Sequence, residues 1–307
     1  MWRSPPSNKP TKAIRGSKMA NDMTADRQKP ADYEKLDREY MEGPARPLDQ
    51  YGSVMMTSSK YLNSARFQDV YAQEGLRRQG RDVPTTILIH KTLEAFADVQ
   101  DGAGIEALFA KDREINPDLA AWLDARALAE FSLDELSRYA PETFGGTIHA
   151  YVSARPGFEL NFTRRGLVPI SDWTYYQKAA TLSHDLEHMI TGFGTNPIGE
   201  QALVACNIKS FCRYFSAELA GELTRLISFQ MSTNVMKTNL HYPQVLGTTL
   251  EGWAVGIAMG DALKRPLVMA DWRGYLEWPL EDMRRDLNIS NAPLPGTWDW
   301  TNEARRG

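Results

Sequence analysis

Ser183-His184-Asp185-Leu186-Glu187-His188-Met189-Ile190-Thr191-Gly192-Phe193-Gly194-Thr195-Asn196-Pro197-Ile198-Gly199-Glu200 joins two helical patterns through a short glycine-bearing turn. The first pattern runs from about Tyr175 to Thr191 and stops at Gly192-Phe193-Gly194, where a residue without a side chain can close a helix. Asn196-Pro197 then starts the second, with Asn as N-cap and Pro at the first helical position. On the first helix His184 and His188 lie four apart, on one face a turn apart, so both imidazoles can reach one ion. Asp185, three residues before His188, can either ligate from the side or orient a histidine. Glu200 falls in the first turn of the second helix, and a hairpin of this shape returns its carboxylate toward the imidazoles. Glu187 falls on the other side of His188 from Asp185 and is expected to face away from the ion. The spacing therefore predicts one divalent metal site made by His184, Asp185, His188 and Glu200. Zinc is the first choice; iron(II) and manganese suit two neutral histidines with carboxylates as well. A lone histidine on a helix is usually a packed or surface residue. Two at this spacing beside an acid, in a chain with five histidines, are less often idle.

The second helix reads as long, because Val204, Ile208, Phe211, Phe215, Leu219, Leu223 and Leu226 form one apolar stripe at three- and four-residue intervals. Further helical patterns cover Lys60 to Leu76, a stretch opened by Pro84 and stopped at Asp101-Gly102, Leu119 to Phe131, Leu246 to Lys264, and Pro279 to Leu287. Ser132 with Glu135 makes a capping box. Pro141 to Gly146 reads as a break, and Gly166 to Trp173 as a loop. No internal repeat and no alternating run long enough to demand a sheet is present. The expected class is all-α, a single multi-helix domain over residues 51–290. Ahead of it stands a disordered basic and polar tail over residues 1–50, rich in Pro, Lys and Asp. A C-terminal tail follows over residues 291–307.

Composition narrows the function. The chain of 307 residues has 42% apolar and 24% charged residues, an ordinary globular balance. Its formal charge of −4 argues against a dedicated nucleic-acid binder, which carries a clustered basic surplus. Cys206 and Cys212, the two cysteines, lie on different faces of one helix and suggest neither a disulfide framework nor a zinc ribbon, so a reducing compartment fits best. No stretch reaches the roughly 18 consecutive apolar residues of a spanning helix, and no apolar run follows the basic start. The first 18 residues could also be read as an organelle transit peptide, but their prolines spoil an amphipathic helix; translation could start at Met1, Met19 or Met23. There is no P-loop, dinucleotide fingerprint or nucleophile elbow. Glu218 and Glu222 share a helix face, yet a di-metal site would want a second carboxylate-x-x-His unit. His90, His149 and His241 stand alone.

His184-Asp185-x-x-His188-(x11)-Glu200 resembles the signature of the ubiquinone biosynthesis family that includes the fourth coenzyme Q (Coq) protein. Pro141-Glu142-Thr143-Phe144-Gly145 with Tyr151, then Arg165, Val168, Asp172 and Tyr175, resemble the family's segment ahead of the motif. Gly199-Glu200 reproduces its Gly-Glu pair. Glu251-Gly252-Trp253 with Gly256, Trp272, and Pro279-Leu280-Glu281-Asp282-Met283-Arg284 resemble its C-terminal segment. The resemblance spans roughly Leu133 to Ile289. Two stretches depart from it. Where the family usually carries an arginine-rich turn, this chain has Gln177 to Ser183. Where a lysine and an acid commonly follow Gly-Glu, it has Ala205-Cys206-Asn207-Ile208. A diverged paralogue acting on another prenylated or aromatic compound is one reading of these changes.

The resemblance implies an all-α protein, peripheral to the membrane, that handles polyprenylated quinone precursors alongside other quinone-biosynthesis proteins. It also implies oxidative decarboxylation of a polyprenylated hydroxybenzoate at ring C1. No catalytic side chain is assigned. A non-catalytic lipid-binding scaffold is the alternative, and a His-Asp phosphohydrolase a distant third, for want of further histidines. Placement on the cytoplasmic face of a bacterial inner membrane, or the matrix side of the mitochondrial one, follows from the same resemblance, with a homodimer left open. Membrane contact is expected along Trp253 to Leu267 and around Trp298 and Trp300, since tryptophan suits the interface.

Overall fold

Most of the long helices begin at a side chain that can cap them. Asp101, Asn116, Thr143, Ser171, Asn196 and Ser216 each accept a hydrogen bond from a backbone N–H two or three residues on, satisfying a donor that the first helical turn leaves open. The computed structural model describes residues 59–78, 88–155 and 166–304. Among them the chain forms α1 (Ala65–Leu76), α2 (Ile89–Val99), α3 (Gly102–Ile115), α4 (Pro117–Ala125), α5 (Leu133–Leu136), α6 (Phe144–Ser153), α7 (Asp172–Thr191), α8 (Pro197–Tyr214), α9 (Ala217–His241), α10 (Leu246–Ala262), α11 (Leu280–Leu287) and α12 (Trp300–Ala304). Short 3₁₀ turns occupy Pro243–Val245 and Leu267–Met269. The extended backbone pairs only at an isolated bridge between Thr143 and Pro279 among the described residues. The protein is all-α. The N-terminal tail, Pro84 and Arg165 lie outside the described residues.

Four expectations need correction. The helix expected over Leu119 to Phe131 ends at Ala125, where Arg126 takes the left-handed conformation with φ 48°. The long second helix is two helices: α8 ends at Tyr214, and Ser216 caps α9 through Leu219 N. The apolar stripe crosses the break because Phe211, Phe215 and Leu219 pack into one cluster on both sides of it. Asp101 does not merely stop α2; its carboxylate caps α3 through Gly104 N. Pro141 to Gly146 is not a plain break, since Phe144 already begins α6. A Cβ on Gly146 would stand 2.0 Å from Ala140 O, and one on Gly145 2.5 Å from the Tyr139 ring, so these glycines are there for closeness rather than for disorder.

The core forms three clusters. One, of Val70, Ala95, Phe96 and Phe229, joins α1, α2 and α9. A second packs α3 and α4 against the first half of α7 and the α8–α9 junction. The largest lies under the metal motif and gathers Phe144, Leu186, Ile190, Phe193, Ile198, Trp272, Met283 and Trp298. Within it α8 and α10 pack backbone against backbone. Gly252, Gly256 and Gly260 line up every fourth residue against Ile198, Ala202 and Cys206. A Cβ on Gly256 would meet Ala202 O at 2.1 Å, and one on Gly260 Cys206 O at 2.2 Å. Two i±4 ridges without side chains on one partner let the backbones touch.

Residues 291–304, expected to form a tail, pack back onto this cluster. Trp298 and Thr301 are buried. No helix among the described residues is long and apolar enough to cross a membrane. Of the expected membrane-contact residues, Trp298, Leu263 and Leu267 are buried and Trp253 is half-buried, its Nε1 donating to Gln201 Oε1 at 3.2 Å. Ile257 and Trp300 remain exposed.

Candidate metal centre

The hairpin is built from its caps inward. Gly192, with φ +75°, closes α7 and donates its N–H to His188 O. Asn196 Oδ1 accepts from both Ile198 N and Gly199 N, which fixes the start of α8. Gly199 must be glycine, because a Cβ there would lie 1.8 Å from Gly194 O. That contact folds the turn tightly enough to return Glu200 to the end of α7. The two helix ends suit the charges they carry. A carboxylate is favoured in the first turn of α8, and positive charge, on an imidazole or on an ion beside it, at the last turn of α7.

His184, His188 and Glu200 come together, with one ligand atom from each lying within 4.8 Å of the others. Glu200 Oε2 is 3.5 Å from His184 Nε2, and Oε1 is 3.3 Å from His188 Nε2. These short separations go to different carboxylate oxygens; with one ligand atom from each residue the group spans up to 4.8 Å, looser than the edge of about 3.3 Å of a tetrahedron drawn with ~2.05 Å metal bonds. His188 is the informative member. It is 5% exposed, and its Nδ1 lies 2.8 Å from Phe193 O. A carbonyl only accepts, so Nδ1 carries the proton and, in the neutral ring, Nε2 carries a lone pair. That buried Nε2 makes no hydrogen bond of good geometry, and it faces the Glu200 carboxylate at 3.3 Å. A neutral imidazole and a carboxylate aimed at one point suit a positive charge between them, either a proton or a metal ion. The donor set of two imidazoles and one carboxylate fits a divalent ion, and the Nδ1–H to carbonyl bond is the usual way a metal-bound histidine is oriented.

The same crowding shows in the ionisation of the metal-free site. Desolvation is the largest influence on His184 and acts against its charge. The Glu200 contact, with Glu187 and Asp185 nearby, overrides it and raises the pKa to about 9. Desolvation likewise acts against a Glu200 carboxylate, but its contacts to the two imidazoles hold its pKa far below the usual range. Burial pushes the Cys206 thiol well up, with Glu187 adding to the effect, so this cysteine is an inert packing residue.

Asp185 stands apart from the three. It is half-buried and acts on His184 and on Tyr151 through its charge. Glu187 is also outside the group, as expected, yet it turns into the protein and is 3% exposed. His149 and His241 serve elsewhere: His149 lies near Ser153 Oγ, and His241 Nε2 meets Leu76 O at 2.7 Å.

Several neighbours are not legible in the sequence as site residues. Tyr151 on α6 hydrogen-bonds Thr195 in the turn and feels the charges of Asp185 and Glu200; burial is the main reason its pKa is raised. Arg155 stacks on the Tyr151 ring at 3.6 Å. The sequence gives little signal for this pair, since Arg155 lies two residues past the end of α6. From the C-terminal segment, Asp299 Oδ1 accepts from Asn196 Nδ2 at 3.1 Å, and Trp298 packs on Phe193 at 6.2 Å between ring centroids. No sequence signal points to that long-range support.

No protein-family model and no curated protein matches this chain. Its fold is similar to a solved structure, that of the "Putative ubiquinone biosynthesis protein" of Nostoc punctiforme. The TM-score is 0.54 at 19% sequence identity, and the match covers 73% of this chain and 97% of that one. At this identity the likeness is one of fold.

Proposed function

We propose that this protein holds one divalent cation, zinc in the first place, at His184, His188 and Glu200. We further propose that it acts in ubiquinone biosynthesis, in the oxidative decarboxylation of a polyprenylated hydroxybenzoate at ring C1, with carbon dioxide leaving and the electrons passing to an oxidant supplied from outside the chain. The observation that carries the reading is the convergence of His184, His188 and Glu200, with the buried His188 Nε2 facing the Glu200 carboxylate. The fold likeness to a protein named for ubiquinone biosynthesis supports the pathway, as does the motif itself. A cation in this place supplies a Lewis acid toward carboxylate and phenol oxygens.

The chain's own residues define how such a ligand would sit. Phe193 O fixes the His188 tautomer, and the caps of α7 and α8 fix the approach of Glu200. His184 and Glu200 keep 48% and 40% of their side chains exposed, so the centre has a solvent side. Three protein ligands with an open side is the arrangement of a catalytic site; a structural one is closed by four. We assign Asp185 to the support of the centre, by charge or by direct ligation. Tyr151 and Arg155 form the neighbouring wall, one offering a phenol and the other a cation to an anionic ring substituent.

A second reading, a lipid-binding scaffold, is favoured by a different feature. Between α1 and α9 lies an apolar groove of about 720 Å³ lined by residues including Tyr61, Phe67, Tyr71, Leu76, Val235 and Met236. It shares no lining residue with the metal centre, and an apolar groove of this size suits a prenyl chain. Other quinone-biosynthesis proteins and a membrane surface are the partners in either reading.

Lipid extracts of a strain lacking the gene decide between them. Accumulation of a prenylated hydroxybenzoate that still carries its ring carboxylate supports the decarboxylase. Loss of ubiquinone restored by a His188→Ala protein would sink it in favour of the scaffold. Elemental analysis of the purified protein should find about one divalent ion per chain; none after reconstitution would end the metal reading.

A further inference from the structure

The two stretches in which the sequence departs from the family it resembles meet in the folded chain. Ser183 closes the first, on α7, and Asn207 sits in the second, on α8. Glu187 lies between them. Its Oε1 accepts from Ser183 Oγ at 2.6 Å, and its Oε2 accepts from Asn207 Nδ2 at 2.8 Å. Ser183 is fully buried and Glu187 nearly so. The carboxylate is thus spent on one donor from its own helix and one from the next. It does not reach the His184, His188 and Glu200 group.

Its place in the chain gives the arrangement a consequence. Glu187 precedes His188 directly, and Asn207 follows Glu200 by seven residues, two turns along the same face of α8. The Glu187–Asn207 bond therefore ties together the same two helices that carry the three ligand atoms. At one end of the hairpin, Asn196 and the Gly194–Gly199 contact set the helix spacing. At the other, away from the turn, this bond spans it. A three-ligand centre divided between two helices is sensitive to that spacing, because a shift between them moves Glu200 relative to both imidazoles. Removing one partner would also leave a buried acceptor or donor unsatisfied, so the tie holds strongly in one geometry.

We infer that Glu187 is a positioning residue for the metal centre, holding α7 and α8 in register through Ser183 and Asn207 so that His188 and Glu200 converge on one ion. This rests on the metal reading above.

The test is cobalt(II) binding by the full chain, measured by chelator competition and by the visible d–d spectrum, which reports coordination geometry. Asn207→Ala should lower the affinity on the order of tenfold, the low end for residues that support metal ligands, and should alter the spectrum. Glu187→Ala should do the same or more. Glu187→Gln should stay near wild type. Its amide oxygen can accept from Asn207 and its N–H can donate to Ser183 Oγ, whose hydroxyl can turn to Ala180 O at 3.4 Å. Should Glu187→Ala fail to fold, Asn207→Ala and Glu187→Gln still decide the matter. Wild-type affinity and spectrum in Asn207→Ala, even with a lowered melting temperature, would overturn the inference and leave the network a stabilising contact. A loss in Glu187→Gln equal to that in Asn207→Ala would overturn it too, in favour of the charge. A wild-type protein that binds no cobalt removes the metal reading and this inference with it.

Discussion

Gly256→Ala should destabilise the protein, while the same substitution at Gly221 should stabilise it. On α10 a Cβ at position 256 would lie 2.1 Å from Ala202 O and 2.9 Å from Ala202 C. Both are backbone atoms, and ordinary contact begins at 3.4 Å, so the helix axes must part by more than 1 Å. Overpacking of a well-filled contact costs about 1–3 kcal/mol, and backbone facing backbone places this case in the upper half. The helix gains about 0.5–1 kcal/mol from replacing Gly by Ala, leaving a net loss of about 1–2 kcal/mol. For a domain of this size that is a fall in Tm of roughly 2–8 °C. Gly221 lies in the first half of α9, exposed, and a Cβ added there would meet no atom within 4 Å; the helix preference acts alone and raises Tm by a few degrees. Gly260→Ala should resemble Gly256→Ala, and Gly252→Ala should cost less, because its Cβ meets the Ile198 Cγ2 methyl at 2.6 Å and the backbone only at 3.4 Å. Differential scanning calorimetry on the four variants reads the order directly. A Gly256→Ala protein as stable as Gly221→Ala would refute the claim that α8 and α10 touch through their backbones.

Replacing His188 by Ala should abolish stoichiometric metal, whereas Asp185→Ala should keep it at reduced affinity; an Asp185→Ala protein that elutes empty would put that carboxylate among the ligands. In the metal-free protein, His184 has its pKa raised from 6.5 to about 9, so its contribution to stability is complete below pH 6.5 and is lost as pH rises through 9. Glu200 is depressed, so its contribution is present above the ordinary carboxylate range and is lost in acid. Thermal melts of the chelated protein should fall between pH 7 and 9.5, with His184→Gln showing a flatter profile; parallel profiles would refute the pairing. Zinc affinity should rise over the same interval, because binding displaces a proton from the imidazole. Flotation on liposomes containing a prenylated phenol should recover the protein reversibly, and a wholly soluble protein with no membrane-bound partner would end the peripheral reading.

The metal hairpin is legible in the sequence because its signals are local. Asn196-Pro197 marks a helix start by its own chemistry, and the four-residue histidine spacing becomes a shared face by helix geometry alone. What escapes is set by partners far along the chain or packed across it. Gly145 and Gly146 read as a break because a sequence cannot show that Tyr139 and Ala140 crowd them. The α8–α9 junction is hidden because Phe215 and Leu219 continue the stripe, and Ser216 is the one quiet sign of a new cap. Asp101 reads as a stop although its carboxylate serves the helix that follows. The helix position of Glu187 turns it from the ion, but its burial depends on Asn207, twenty residues on, and no periodicity encodes that pairing.

The support that Trp298 and Asp299 give to the hairpin turn has a genetic consequence. A stop codon just after Leu294 would spare His184, His188 and Glu200 and every helix longer than five residues. It would nevertheless withdraw the ring against Phe193, whose carbonyl sets the His188 tautomer, and the acceptor that steadies Asn196 at the head of α8. Such an allele should behave as a null for metal retention, grouping in a phenotypic screen with lesions in the His-Asp motif more than a hundred codons upstream.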